Sequence, residues 1–424
     1  MKKTLLALLL CISGPLYGNP IALKAARLFD GTSDAVVRNG VVVIDGKRIV
    51  AAGANIPIPA GAQVIDLGDA TLLPGFIDAH VHLTEESGPN WYLDFFNEVM
   101  RQPAEQALLA STYARKTIDA GFTTVRNVGA SDYIDVGLRN AINNGWIVGP
   151  RMLVAVYAIG ATGGHSDGPP IPPARGVPPT GPMQGICNGV AECRAAVRYQ
   201  IKYGADVIKF MPSGGVLSLA DPVDAPELSQ DEMNAIVEEA HHWGRKVAAH
   251  CHGDTAAKMA IQAGVDSIEH GSFMKPDTLK MMHDKGVYLV PTLLAGDWVM
   301  QSIDKYPPAI AAKGRAAVAA RSDMFRNALR EGVKIAFGTD SAVSPHGLNA
   351  REFALMTGLG MSPAAALRSA TSMAAALLGV DDRLGSLTAG KLADVIAVPG
   401  NPLDDIHQTE HVMFVMKEGA IIRK

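Results

Sequence analysis

Short-period alternation of apolar and polar residues marks both ends of the chain, and a longer mixed period fills the middle. The stretch "VVVIDGKRIVAAG", residues 41–53, sets two short apolar runs around Asp45-Gly46 and predicts a β-hairpin. Similar turn-rich alternation continues to about residue 72 and resumes after residue 384 in "LADVIAVPG" and "VMFVMKEGAIIRK". Between these ends, apolar β-branched runs recur. They are "FIDAHVHL" (76–83), "TTVRNV" (123–128), "RMLVAV" (151–156), "DVIKFM" (206–211), "KVAAHC" (246–251), "DSIEHG" (266–271), "VYLVPTL" (287–293) and "KIAFGTD" (334–340). Most are separated by Ala-, Glu- and Lys-rich amphipathic stretches, such as Ser229 to Gly244 and Ala309 to Gly332. Eight strands alternating with helices predict an α/β fold, a (β/α)8 TIM-like barrel. The chain thus divides into a leader (1–18), a first β-sandwich part (19–72), the barrel (73–383) and a second β-sandwich part (384–424). The two outer parts are expected to join in one small domain split by the barrel.

The leader changes the picture of where the protein works. "MKKTLLALLLCISGPLYG" has Lys2 and Lys3, an apolar run from Leu5 to Ile12 and a break ending at small Gly18, the pattern of a cleaved signal peptide. The run is far shorter than the roughly 20 residues a membrane span needs. Leucine precedes Cys11, which speaks against lipid attachment there. The expectation is export to the periplasm or secretion, with no membrane contact after cleavage. A formal net charge of −4 argues against nucleic acid as a partner. In an oxidising compartment Cys187 and Cys193 could close a short loop or stay as thiols; spacing alone does not decide. Cys251 is expected to be buried beside a site.

Candidate chemistry collects at the predicted strand ends, where barrels of this kind carry their function. His80 and His82 lie two apart on the first strand and so face the same way. Lys209 lies on the fourth strand, His250 and His252 end the fifth, His270 ends the sixth and Asp340 closes the eighth. One inward histidine is more often a hydrogen-bonded core residue than a ligand. Imidazoles and a carboxylate converging from separate strands suit zinc or a similar divalent ion. Lys209, if buried, becomes a neutral amine able to take up carbon dioxide. The resulting carbamate would bridge two metals, with His250 and His270 on one ion and His80, His82 and Asp340 on the other. The Gly- and Pro-crowded segment 160–185 follows the third strand and is expected to overhang the mouth as a substrate cover rather than serve as a linker.

Together "LLPGFIDAHVHL", "GADVIKFMPSGGV", "VAAHCHG", "SIEHG", "GTDSA" and "GSLTAGKLADVIAVPGNPL" resemble the amidohydrolase superfamily over essentially the whole chain after the leader. The set is most similar to the exported, prolidase-like metallocarboxypeptidase branch, close to the ochratoxin-degrading amidohydrolases. The resemblance implies a binuclear zinc centre, a carboxylated lysine at Lys209 and a homo-oligomer, often an octamer. It also implies hydrolysis of Xaa-amino-acid dipeptides or N-acyl amino acids, ochratoxin A with release of L-phenylalanine among them. Ordinary metal-site chemistry then expects a metal-bound hydroxide to attack the amide carbonyl, with Asp340 taking its proton and passing it to the leaving amine. His165 is expected to contact the carbonyl or the substrate. His252 and the donors of Ser213, Gly214 and Gly215 are candidates for the substrate carboxylate, and His346 for the pocket lining. His252 could instead orient a ligand. One alternative is a mononuclear cyclic-amide hydrolase or deaminase of the imidazolonepropionase kind, disfavoured by Lys209 and by "HCHG" after the fifth strand. An alternative of another class is a non-catalytic periplasmic binding protein on the same scaffold, against which the complete ligand set speaks.

Overall fold

The computed structural model describes residues 19–168, 171, 173–176, 178–219 and 221–424, so the expected leader lies outside the described residues. Five strands come first: β1 (Ile21–Leu28), β2 (Val37–Asp45), β3 (Arg48–Ala54), β4 (Gln63–Asp66) and β5 (Ala70–Pro74). Seven follow: β6 (Phe76–Val81), β7 (Phe122–Asn127), β8 (Arg151–Val154), β9 (Val207–Phe210), β10 (Lys246–Cys251), β11 (Ser267–His270) and β12 (Tyr288–Val290). The chain ends with β13 (Val395–Pro399), β14 (Phe414–Lys417) and β15 (Ala420–Arg423).

The outer strands form one sheet, in the order β15-β14-β13-β5-β1-β2-β3, with β4 beside β1. β2 and β3 are the hairpin that Asp45-Gly46 predicted; Gly46 takes the left-handed φ of 54° that such a turn requires. The two ends of the chain meet in the antiparallel pair β5–β13, where Leu73 faces Ile396. Backbone bonds between Ile49 and both Gly390 and Lys391 curl the sheet round its own core of Leu23, Val42, Leu72, Val395 and Phe414.

The inner strands are buried along their length, as parallel strands covered on both faces must be. β6–β8 and β9–β12 make two parallel arcs. Two sets of backbone bonds close them into a ring. Ile159 N donates to Lys209 O and Met211 N to Ile159 O, which joins the chain beyond β8 to β9. Residues 334–340 supply the eighth stave: Ala336 N bonds Leu289 O on one side, and Ala79 N bonds Phe337 O on the other. The fold is therefore the predicted (β/α)8 barrel, with an irregular last stave. Gly338 explains part of that irregularity, since a Cβ there would lie 2.2 Å from Val290 Cγ1 and 2.9 Å from His80 Cβ. Only glycine lets the neighbouring staves come so close.

Helices cover the outside where amphipathic stretches predicted them. In the helix Gln230–His242, Ser229 and Glu232 form a reciprocal capping box, and Met233, Ile236, Val237 and Ala240 face the core. Cys187 and Cys193 are joined in a disulfide beside the helix Val190–Tyr203, while Cys251 is free and buried. No helix among the described residues is long and apolar enough to cross a membrane.

A charged triad ties barrel to sheet. Arg151, at the start of β8, reaches Asp394 at 3.0 Å and Glu418 at 2.7 Å, and burial leaves only 14 % of its side chain exposed. Replacing it leaves the buried Asp394 without its ion-pair partner and Glu418 with Lys47 alone. Arg151→Met should lower unfolding stability by about 3 kcal/mol, read as a fall in the urea midpoint. An unchanged midpoint would show that the sheet docks without this contact.

Candidate active site

At the C-terminal ends of the staves lies a cavity of about 360 Å³. His80, His82, Lys209, His250, His270 and Asp340 all line it, and they come from five staves, His80 and His82 sharing the first. Four residues at stave ends take left-handed φ: Val156 at 65°, His270 at 67°, Thr292 at 48° and Asp340 at 57°. Such angles are unfavourable for any of these residues and worst for β-branched ones, and they turn side chains that a regular strand would send elsewhere. In a regular strand Glu269 and His270 would face opposite ways. Here both enter the barrel's interior.

Glu269 anchors the first histidine. Its Oε2 lies 2.7 Å from His80 Nδ1, and its Oε1 accepts from Arg126 Nη2 at 2.8 Å and from the Ser267 hydroxyl. Arg126 also donates to the Ala79 carbonyl, and neither charged side chain has more than 1 % of its surface exposed. Burial alone would raise the Glu269 carboxyl; the Arg126 guanidinium and the bond from His80 hold it at about 2 instead. With Nδ1 occupied, His80 presents Nε2 to Asp340 Oδ1 at 3.4 Å, the same separation that His82 Nε2 keeps. His82 in turn donates Nδ1 to Gly129 O at 3.1 Å.

The other imidazoles are fixed in the same manner. The Thr292 hydroxyl donates to Pro291 O, so its oxygen accepts from His270 Nδ1 at 2.6 Å, which leaves the lone pair on Nε2. His252 rests Nδ1 on Ser272 Oγ at 2.8 Å, and its ring stacks on that of His270. Ligand-capable atoms of His250, His252 and His270 lie within 4.8 Å of one another, as do those of His80, His270 and Asp340. Burial drives His250 and His270 well below the ordinary imidazole value, His252 to about 3 and His82 to about 4. These are neutral rings with lone pairs gathered around a carboxylate, a donor set that fits divalent cations. Asp340 stays ionised: burial would raise its carboxyl, but His80, His270 and His82 hold it far below the usual range. Lys209 lies among them with 1 % of its surface exposed, and burial lowers its amine to about 8.

Residues expected to touch substrate divide into two groups. His165 lines the cavity, its ring 4.5 Å from that of His250. Its Nδ1 rests on Ser218 Oγ at 2.9 Å, and its backbone N–H donates to Glu227 at 2.9 Å. Gly215 makes this possible, because a Cβ there would lie 2.0 Å from the His165 ring. His252 also lines the cavity, inside a ligand-capable triad. At Ser213–Gly215, the expected donor nest, the structure shows these bonds. Gly214 N bonds Ala225 O and Gly215 N bonds Asp221 Oδ2 at 2.6 Å, both within the loop, while Ser213 Oγ accepts from His252 N at the end of β10. His346 lies apart from the cavity. It is buried, bonded through Nε2 to Glu85 O at 2.7 Å and packed on Tyr113, and it does not line the cavity. Sequence reasoning missed Arg126 and Glu269; the available signal was a charge in the middle of each apolar stave, which burial obliges to pair.

Comparison with known proteins agrees with this geometry. The model of the amidohydrolase family matches residues 71–423. Ochratoxinase of Aspergillus niger is 33% identical over 425 residues, covering 95% of this chain and 86% of that protein. A crystal structure of a Xaa-Pro dipeptidase with methionine bound in its active site superposes with a TM-score of 0.89 at 40% identity, covering 96% of this chain and 100% of the other. A prolidase complexed with N-methylphosphonate-L-proline superposes with a TM-score of 0.86 at 30% identity over the same shares.

The Glu269–His80 contact can be tested without an activity assay. Glu269→Gln keeps an acceptor but removes the charge opposite Arg126, and should weaken divalent-cation affinity by about 10- to 100-fold in equilibrium dialysis. Unaltered affinity would disprove the orienting role.

Proposed function

This chain belongs to the amidohydrolase family, and from that premise we propose that it is a binuclear metal-dependent carboxypeptidase or amidase. It cleaves the amide bond of Xaa-amino-acid dipeptides or N-acyl amino acids, ochratoxin A among the candidates. Hydrolysis of small amide substrates is the coarse activity that the family and its relatives support. What carries the finer reading is the meeting of six ligand-capable side chains from five staves in one cavity, with the rings of His80, His82 and His270 each turned by a second partner.

His250 and His270 would hold one cation, and His80, His82 and Asp340 the other, with Lys209 as a carbamate between them. His252, close to His250 and His270, would either join the first ion or meet the substrate. Zinc, bound there, supplies Lewis acidity that lowers the pKa of water and polarises an amide carbonyl. The protein supplies the rest. Asp340 Oδ1, between His80 and His82, is placed to accept a proton during attack and to hand it to the departing amine. His165, with Nδ1 held by Ser218, has Nε2 left to meet the carbonyl oxygen. Burial that lowers the Lys209 amine makes carbamate formation feasible near neutral pH, and a lysine at this point in the cavity speaks against the single-metal alternative.

The leader pattern supports export to the periplasm or secretion. An apolar exposed face on the helix Trp91–Met100, with Tyr92, Leu93, Phe96 and Met100 at its surface, supports assembly into a homo-oligomer, for which the family resemblance suggests an octamer.

Two variants test the roles. Asp340→Asn in zinc-loaded protein should keep at least one cation and lose at least about 10³-fold in kcat on N-acyl amino acids; near-normal turnover would refute its proton-transfer role. Lys209→Ala should lose most bound metal by elemental analysis and recover it with a short-chain carboxylic acid. Full occupancy without added acid would mean that no carbamate bridges the ions.

A further inference from the structure

Part of the cavity wall has no task in the reaction above. Two helices, Leu293–Gln301 and Pro308–Arg330, bring Ala295, Gly296, Val299, Ala317 and Val318 to the lining. These are small or branched apolar groups, and among them lies one cation, Arg321, with 14 % of its side chain exposed.

The guanidinium is held in place. Nη1 donates to the Leu293 carbonyl, and the group lies over Gly296, where a Cβ would fall 2.2 Å from Nη1. Among the described residues no acid hydrogen-bonds to it. Asp297 Oδ1 is 3.9 Å from Nη2, beyond hydrogen-bond reach, and half exposed. Glu352 is committed elsewhere, its two oxygens accepting from Leu293 N at 2.8 Å and Leu294 N at 2.6 Å. Donors of the fork therefore remain for a molecule in the cavity. A guanidinium in an apolar wall is costly to bury until an anion joins it, and its planar fork matches a carboxylate in two-point contact. The Gly214 and Gly215 amides, spent within their own loop, leave a substrate carboxylate in need of such a partner.

We propose that Arg321 is a substrate-recognising residue that binds a carboxylate of the substrate. That group is either the α-carboxylate of the leaving amino acid or an acidic side chain lying along the apolar wall. The assignment rests on the amide-hydrolase reading.

The test compares kcat/KM of the zinc-loaded enzyme on N-acetyl-glutamate, N-acetyl-glutamine and N-acetyl-leucine and on their C-terminal amides. Wild type, Arg321→Met, Arg321→Lys and Gly296→Ala are measured, with metal content and melting midpoint alongside. In Arg321→Met one preference should fall by roughly 30-fold or more. A fall in glutamate over glutamine identifies a side-chain carboxylate; a fall in free acid over amide identifies the α-carboxylate. Gly296→Ala, whose methyl group must push the guanidinium aside, should shift the same ratio, and Arg321→Lys should retain part of it. If neither ratio moves while all rates drop together, Arg321 is scaffold and the assignment is overturned. A wild-type enzyme that cleaves none of these compounds would overturn the amide-hydrolase reading, and this assignment with it.

Discussion

A carboxylate with no exposed surface, Glu269, sits where three staves must agree. From β11 it bonds Arg126 of β7 and His80 of β6, and Arg126 continues to the backbone of Ala79. Two opposite charges removed from water are tolerable only when every donor and acceptor is met, so this network permits little play in register. The direction of His80 Nε2 is its consequence, and so is the position of Asp340, whose backbone N–H is held by His80 O at 2.7 Å. The reactive end of the barrel inherits its geometry from a charge pair buried inside it.

Rigidity of this kind accounts for the backbone angles around the mouth. Val156, His270, Thr292 and Asp340 occupy left-handed conformations that typically cost of order 1–3 kcal/mol each. They persist because the staves on either side are fully bonded and densely packed. The return is orientation: Thr292 brings its hydroxyl to His270, and Glu269 and His270 both turn inward although they are adjacent. Strain concentrates at the end of the barrel that does chemistry, and the opposite end has none of these four residues.

The cavity thus joins two environments. One is a polar cluster of neutral imidazoles around an ionised aspartate. The other is an apolar wall from two helices, interrupted by a single guanidinium. A small amide substrate can have the matching division, a polar amide to be cut and an apolar or charged group beside it. The described part of the 160–185 segment brings His165 over the polar half, where it packs on His250.

Much of this was legible before any coordinates. Alternation of apolar runs with amphipathic stretches gave the barrel, because parallel strands buried on both faces have no room for polar positions. The exceptions, His80, His82, Lys209, His250, His270 and Asp340, stood out against that background for the same reason. Local pattern could not reveal which distant residues would become partners. Arg126 and Glu269 are separated by 143 positions, and Arg321 reaches the cavity only because its helix packs over Gly296. Nor could it tell that the amides of Gly214 and Gly215 are already bonded or that His346 turns away from the cavity to Glu85. A sequence determines which side chains must leave water and at what period. Who meets them there is set by the closure of the ring, which alone brings residues far apart in the chain to hydrogen-bond distance.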